Sequence, residues 1–92
     1  MDTEEAEIIA LKALTFLAAD TKLMDRFAAL SGVAPNDIVE RAGDGEMLAG
    51  VLDFLLSDEA VLTDFCTAHD IDREYPAAAR QNLPGGALPH WT

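Results

Sequence analysis

The sequence predicts an all-α domain of five to six short helices. Half of the 92 residues are hydrophobic, which is enough apolar surface to offset the entropy that an ordering chain loses. Apolar residues recur at the three- and four-residue spacing of helices, and no segment alternates with a period of two for long enough to be a strand. We expect one helical domain over residues 1–83, followed by an irregular tail over residues 84–92 that is rich in proline and glycine.

Helices one and two are predicted to follow each other with almost no loop. Helix one begins at Asp2, whose side chain can cap it while Glu5 completes a capping box, and it runs to about Ala19. Asp20 lies where the cap of helix two is expected, and Gly32 is typical of a helix end.

Helices three and four are separated by a glycine-rich turn. Pro35 suits the first position of a short helix three, which ends near Ala42. Asp44 is the expected cap of helix four. The apolar stripe of helix four consists of Met47, Leu48, Val51, Leu52 and Leu55.

Helices five and six complete the predicted domain. Asp58 starts helix five, which continues to about His69. Asp72 is the expected cap of a weaker helix six over residues 74–83. Pro76 must lie in the first turn of that helix, because proline breaks a helix interior.

The two halves of the chain are similar at an offset of 38 positions. The identical pairs are Leu14/Leu52, Phe16/Phe54, Leu17/Leu55, Asp20/Asp58 and Phe27/Phe65. Four of these pairs are apolar residues suited to a core, and the fifth is the aspartate between two helices, so each half is predicted to form a hairpin of helix, aspartate and helix. Because neither hairpin can bury its apolar face alone, we expect an internal repeat packed as a small pseudo-two-fold bundle, with helix three as connector.

Several short motifs together resemble a small bacterial family of helical domains of unknown function. They are Phe16-Leu17-Ala18-Ala19-Asp20, Gly32-Val33-x-Pro35-x-Asp37-Ile38, Leu52-x-Phe54-Leu55-Leu56-x-Asp58-Glu59 with Phe65-Cys66, and Leu83-Pro84-Gly85-Gly86 with Pro89-His90-Trp91. The resemblance spans nearly the whole chain. It implies a compact bacterial helical domain and does not imply any particular activity.

The charge of the chain excludes two classes of partner. Seventeen acidic residues against six basic ones give a net charge of −11, which disfavours nucleic acid and anionic membranes because both are bound through lysine and arginine. The acidic N-terminus is unlike a secretory signal, and the apolar stretch from Ile8 to Ala19 is shorter than the roughly 20 residues that cross a bilayer. With Cys66 as its single cysteine, the chain is expected to be cytoplasmic.

No motif predicts a catalytic residue, a cofactor or a metal site. The segment Asp70–Glu74 begins like a calcium loop but lacks the glycine and the closing glutamate of an EF-hand. Cys66 and His69 supply only two soft ligands, which is fewer than a zinc site needs. We expect Cys66 to pack in the core and His69 to lie at the end of helix five, so the protein is predicted not to be an enzyme.

Helices two and three have the spacing of a helix-turn-helix corner. Phe27, Gly32 and Ile38 fall where such a corner places its apolar anchors and its turn. Asp37 and Glu40, however, would face phosphates if helix three entered a DNA groove. A corner of this shape is expected without DNA binding, and a regulator of this type is kept as an alternative function.

Two surfaces are candidates for binding a partner. Helix one carries a second stripe in addition to its core stripe, made of Ile8, Leu11, Thr15 and Ala18. This stripe is either covered by neighbouring helices and the tail or forms an interface with a partner helix or a second copy. In the tail, His90 and Trp91 are either docked on the domain itself or offered to a partner.

The second half of the chain is the more acidic half. Eight acidic residues and no basic residue lie between Arg41 and Arg73, and Asp53 and Asp64 are the candidate contacts there for a basic partner. We therefore expect a non-catalytic protein-protein interaction or adaptor module. An acidic decoy of a nucleic-acid-binding protein is a further alternative.

Overall fold

Six α-helices make up most of residues 1–84, the part of the chain that the computed structural model describes. They are α1 (Thr3–Ala18), α2 (Thr21–Ser31), α3 (Pro35–Glu40), α4 (Gly45–Leu56), α5 (Glu59–His69) and α6 (Glu74–Gln81). Residues 1–84 contain no strand, so the all-α prediction is confirmed. The predicted irregular tail falls outside the described residues except for Pro84.

Four helices begin at aspartates whose side chains accept hydrogen bonds from the first backbone N–H groups. The Asp2 carboxylate accepts from the Glu5 N–H at 2.8 Å. Asp20, Asp44 and Asp58 cap α2, α4 and α5 in the same way. These caps satisfy donors that would otherwise lack a partner at a helix start, and the predicted starts of these four helices are confirmed.

Two helices end earlier than predicted, and one predicted cap is wrong. Helix α3 ends at Glu40 because the chain then turns, with the Asp44 N–H bonded to the Arg41 carbonyl at 2.8 Å. Helix α6 ends at Gln81. The Asp72 side chain does not cap α6, because the residue before the helix is Arg73, which is already in the helical conformation. The Tyr75 N–H donates to the Asp72 carbonyl, three residues back, at 3.0 Å.

The core lies where α4 and α6 pack on α1. Its largest fully buried side chains are Leu17, Ile38, Leu48, Val51, Leu52, Leu55, Phe65 and Pro76. No buried polar or charged residue occurs among residues 1–84. Burial of apolar surface is therefore the main interaction that holds the six helices together.

The offset of 38 positions also relates the boundaries of the helices. Helices α1 and α4 both end at corresponding residues, and α2 and α5 correspond from the first residue to the last. Asp20 and Asp58 have nearly the same backbone angles, with φ −124° and −134°. Gly32 and Asp70, again 38 positions apart, are the residues with positive φ within residues 1–84, at 75° and 53°.

Two aromatic contacts join the halves in a reciprocal way. The rings of Phe16 and Phe65 meet edge to face with centroids 5.6 Å apart. The rings of Phe27 and Phe54, the residues at the offset of 38, meet in the same way at 5.5 Å. Each aromatic pair thus contains one ring from each hairpin, and the two contacts stabilise the association of the hairpins.

The third helix of each half has a different environment. Ile38 in α3 and Pro76 in α6 correspond at the same offset and are both buried. Helix α3 packs on α2, whereas the longer α6 packs on both α1 and α4. The short connector predicted between the hairpins therefore has a counterpart in sequence position, α6, that packs differently.

Candidate functional site

Helix α1 has an apolar face that the described residues leave uncovered. Ile8, Leu11, Thr15 and Ala18 lie within an arc of about 80° around the helix, since successive residues are about 100° apart. Ile8 is 48% exposed and Leu11 is 40% exposed, and Thr15 and Ala18 are exposed as well. We call these four residues the α1 face. Within residues 1–84 the neighbouring helices do not cover this stripe, and its predicted cover by the tail lies outside the described residues.

The α1 face continues into a groove of about 460 Å³ beside the start of α6. Its lining includes Met1, Ile8, Lys12, Ile71 and Tyr75. Met1 and Tyr75 are themselves 43% and 49% exposed. The groove therefore adds exposed apolar side chains of α6 to the surface beside the α1 face, although Glu5, Lys12, His69 and Asp70 line it as well.

Charged residues flank the α1 face on both sides. Glu4 lies on the face one turn before Ile8, and Glu7 and Lys12 lie at its edges. The Thr15 hydroxyl donates to the Leu11 carbonyl at 3.0 Å, which leaves its methyl group as the main surface it presents. The face is therefore an apolar strip with a mainly acidic rim.

Three acidic residues of the second half are held by arginines. Arg26 contacts Asp58 at 3.1 Å and Arg73 contacts Glu59 at 2.6 Å. The candidate partner residue Asp53 is bonded to Arg80, with Nε to Oδ1 at 2.6 Å. These pairs reduce the acidic potential that the sequence placed between Arg41 and Arg73.

The other acidic candidate, Asp64, is exposed on α5 and forms no ion pair within residues 1–84. By the offset of 38 positions it corresponds to Arg26, and Asp20 corresponds to Asp58. The Arg26–Asp58 bridge joins the two halves, and the corresponding pair, Asp64 and Asp20, consists of two acids. This difference leaves Asp64 available to a basic partner.

Two titratable groups are perturbed by their surroundings. Hydrogen bonds from the Val61 backbone and then from Arg26 lower the pKa of Asp58 below its usual value of 3.8. Burial raises the pKa of the Cys66 thiol. The predicted packing of Cys66 in the core is confirmed, and a thiol held protonated in this way is a poor nucleophile.

A second groove, of about 430 Å³, lies between α2 and α4. We call it the α2–α4 groove. Its apolar lining is formed by Phe27, Leu30, Val33, Met47 and Phe54, with Gly50 among them. Sequence reasoning missed this groove, although Gly50 interrupts the apolar stripe of helix four and so indicated a gap in its surface.

The family described as "Protein of unknown function (DUF3572)" matches residues 3–86. The chain belongs to the DUF3572 family. The resemblance noted from the sequence, to a small family of domains of unknown function, is thereby confirmed. No curated protein matches this DUF3572 chain, and no solved structure matches it.

Within residues 1–84 of the DUF3572 chain, no three His, Cys, Asp or Glu side chains lie together as a metal ion requires. None of the six helices described is both long and apolar enough to cross a bilayer. The candidate partner residues His90 and Trp91 lie outside the described residues. The candidate site of this DUF3572 chain therefore consists of the α1 face with its adjoining groove.

Proposed function

We propose that this protein is a non-catalytic interaction module whose α1 face binds an amphipathic helix of a partner protein. The observation that carries the proposal is the exposure of Ile8 and Leu11 on a helix whose opposite side is fully buried. Helix-in-groove recognition uses this arrangement, with apolar anchors spaced three and four residues apart.

The charge distribution supports a basic partner over a second copy of the chain. The protein carries a net charge of −11, and three of its six basic residues are engaged in internal ion pairs. Two copies would bring together two faces with mainly acidic rims, which is unfavourable. A partner helix with lysine or arginine beside its apolar stripe would instead be attracted.

The contribution of each anchor follows from its exposure. Ile8 and Leu11 each have about half of their surface to bury, and full burial of such side chains stabilises by about 1.5–3 kcal/mol. Each anchor therefore contributes about 1 kcal/mol. An acidic substitution at Leu11 should weaken binding about tenfold or more, because it also places a carboxylate in an apolar contact.

The test is affinity capture from a lysate of the source organism with wild type, Leu11→Glu and Val39→Glu. Val39 is 54% exposed on α3 and gives a control with the same change of charge. We expect a protein that is captured by wild type and Val39→Glu and lost with Leu11→Glu. Mapping of its binding region should identify an amphipathic helix with basic residues.

Three outcomes would contradict the proposal. One is that no captured protein depends on Leu11. Another is capture that is abolished by salt but unchanged in Leu11→Glu, which would favour an acidic decoy acting through residues such as Asp64. The third is a dimer in sedimentation equilibrium that Leu11→Glu dissociates, which would assign the face to a second copy.

A helix-turn-helix-like regulator is a second candidate, favoured by the corner between α2 and α3. Gly32 is in the left-handed conformation and the α3 residue Ile38 is fully buried. The exposed Asp37 and Glu40 on the six-residue α3 weigh against DNA contact. Retention of the protein on a duplex-DNA column at low salt would support this candidate, and absence of retention would dismiss it.

The proposed location is the cytoplasm of a bacterium. The lone cysteine, Cys66, is buried and unpaired, which suits a reducing compartment. The sequence resemblance supports a bacterial source.

A further inference from the structure

We propose that the C-terminal segment, residues 85–92, docks on its own domain by inserting Trp91 into the α2–α4 groove. The α2–α4 groove is a different surface from the α1 face, so docking there does not depend on the proposed function.

The groove has the size and lining that an indole requires. Its volume is about 430 Å³, which is within the range of about 300–1,000 Å³ of small-molecule sites. The Phe27 and Phe54 rings form an edge-to-face pair in its wall, with centroids 5.5 Å apart. At Gly50 the groove is open, since a Cβ there would meet only the Phe27 ring, at 3.9 Å.

The chain reaches Pro84 at the edge of α4 next to this groove. The Pro84 ring lies 3.2 Å from where a Cβ on Gly45 would stand. The Pro84 carbonyl accepts a hydrogen bond from Arg80 Nη1 at 3.0 Å, and the same guanidinium bonds Asp53 on α4. Arg80 therefore holds the end of the described chain against one side of α4.

The groove begins immediately beyond this side of α4. At about 100° per residue, Gly45 and Asp53 span about 80° of the helix circumference, and Glu46 follows about 20° further round. Gly50 and Phe54 continue the same turn around the helix. Residues 85–92 therefore need to pass over only one ridge of α4 to enter the groove.

The length of the segment is sufficient. Trp91 follows Pro84 by seven positions, and an extended chain over seven such steps spans up to about 23 Å. The groove follows α4 from Asp44 to Ser57, a length of about 20 Å. Gly85 and Gly86 follow Pro84 and permit the sharp change of direction that crossing α4 requires.

The chemistry of the groove also suits tryptophan. Apolar atoms form most of its exposed surface, and the charged side chains of Arg41, Asp44 and Glu46 also line it. An indole buries a large apolar ring and presents one N–H donor, which needs an acceptor such as the Glu46 carboxylate.

The groove beside α1 is a less suitable place for the segment. It is lined by Tyr75 in the first turn of α6, whereas Pro84 follows the last turn of that helix. The length of α6 puts about 12 Å between the two. Lys12 lines that groove and corresponds to Gly50 at the offset of 38. The lysine side chain therefore stands where the α2–α4 groove has the open space beside Gly50.

The test uses the full chain and its single tryptophan as the probe. A bimane fluorophore, which tryptophan quenches on close contact, is attached at Ser31→Cys in the groove or at Thr15→Cys on the α1 face, both in a Cys66→Ala background. We expect several-fold quenching at position 31, no quenching at position 15, and recovery of fluorescence with Trp91→Phe. Circular dichroism verifies that each variant is folded.

A second variant fills the groove without removing tryptophan. Gly50→Leu places a side chain beside the Phe27 ring, so quenching at position 31 should be lost and Trp91 emission should shift to the red. Absence of quenching at position 31, quenching at position 15, or quenching that grows with protein concentration would each overturn the proposal. In the last case the segment would be docking on a second copy.

Discussion

Replacement of Gly50 by alanine should stabilise the protein, and the structure fixes the sign of the effect. Gly50 lies in the interior of α4, where glycine costs about 0.5–1 kcal/mol relative to alanine because it loses more backbone entropy on folding. The added Cβ would lie 3.9 Å from Phe27 Cζ, an ordinary van der Waals contact, and would meet nothing else within 4 Å. No strain opposes the gain, so the free energy of unfolding should rise by about 0.5–1 kcal/mol, or about 2–8 °C in Tm for a domain of this size.

The assay is urea unfolding followed by far-UV circular dichroism, carried out in a Trp91→Ala background so that the C-terminal segment does not contribute. Another glycine provides a control of opposite sign. Gly32→Ala forces alanine to a φ of 75°, which costs about 1–2 kcal/mol. A lower unfolding free energy for Gly50→Ala than for wild type would refute the reasoning.

Three further predictions concern charge and the thiol. A hydrogen bond from the Val61 amide and the Arg26 side chain lower the pKa of Asp58 in the folded protein. The stability that the Asp58 carboxylate contributes is therefore present above its unfolded pKa near 3.8 and is lost as the pH falls through the lower folded value. Asp58→Asn should destabilise the protein at pH 7 and progressively less towards pH 2, as measured by thermal unfolding. Asp64→Arg should recreate, opposite Asp20, the ion pair seen in the other half, and raise the unfolding free energy by about 0.2–1 kcal/mol at low salt, an increase that 1 M NaCl should remove. Cys66, buried and with a raised pKa, should react with iodoacetamide much more slowly in the native protein than in urea; equal rates would contradict its burial.

Features set by neighbouring residues were the most predictable from sequence. Asp20 and Asp58 identify their helix starts because an aspartate cap acts on N–H groups two and three residues away. Asp72 has the same local appearance but does not cap, because the residue before α6 is Arg73 and is already in the helical conformation. An aspartate is therefore a good predictor of a helix start only where the residue before the helix is extended, as Asp20 and Asp58 are.

Features that join distant parts of the chain could not be predicted in this way. Both stripes of α1 are apolar, so only the packing of α4 and α6 reveals that Leu11 is on the uncovered side. The Arg26–Asp58 bridge links residues 32 positions apart. The α2–α4 groove likewise depends on the approach of the Phe27 ring to Gly50 across two helices.

The reciprocal aromatic pairs make folding of the two halves interdependent. A fragment ending near Ala42 would retain Phe16 and Phe27 but lose both of their partner rings. The remaining fragment would retain Phe54 and Phe65 and lack the rings of the first fragment. Neither fragment has a complete core, so the chain should unfold in one cooperative transition. The same reciprocity means that the two fragments, once mixed, each contain what the other lacks, and the turn around Gly43 is the natural place to divide the protein for reconstitution from two peptides.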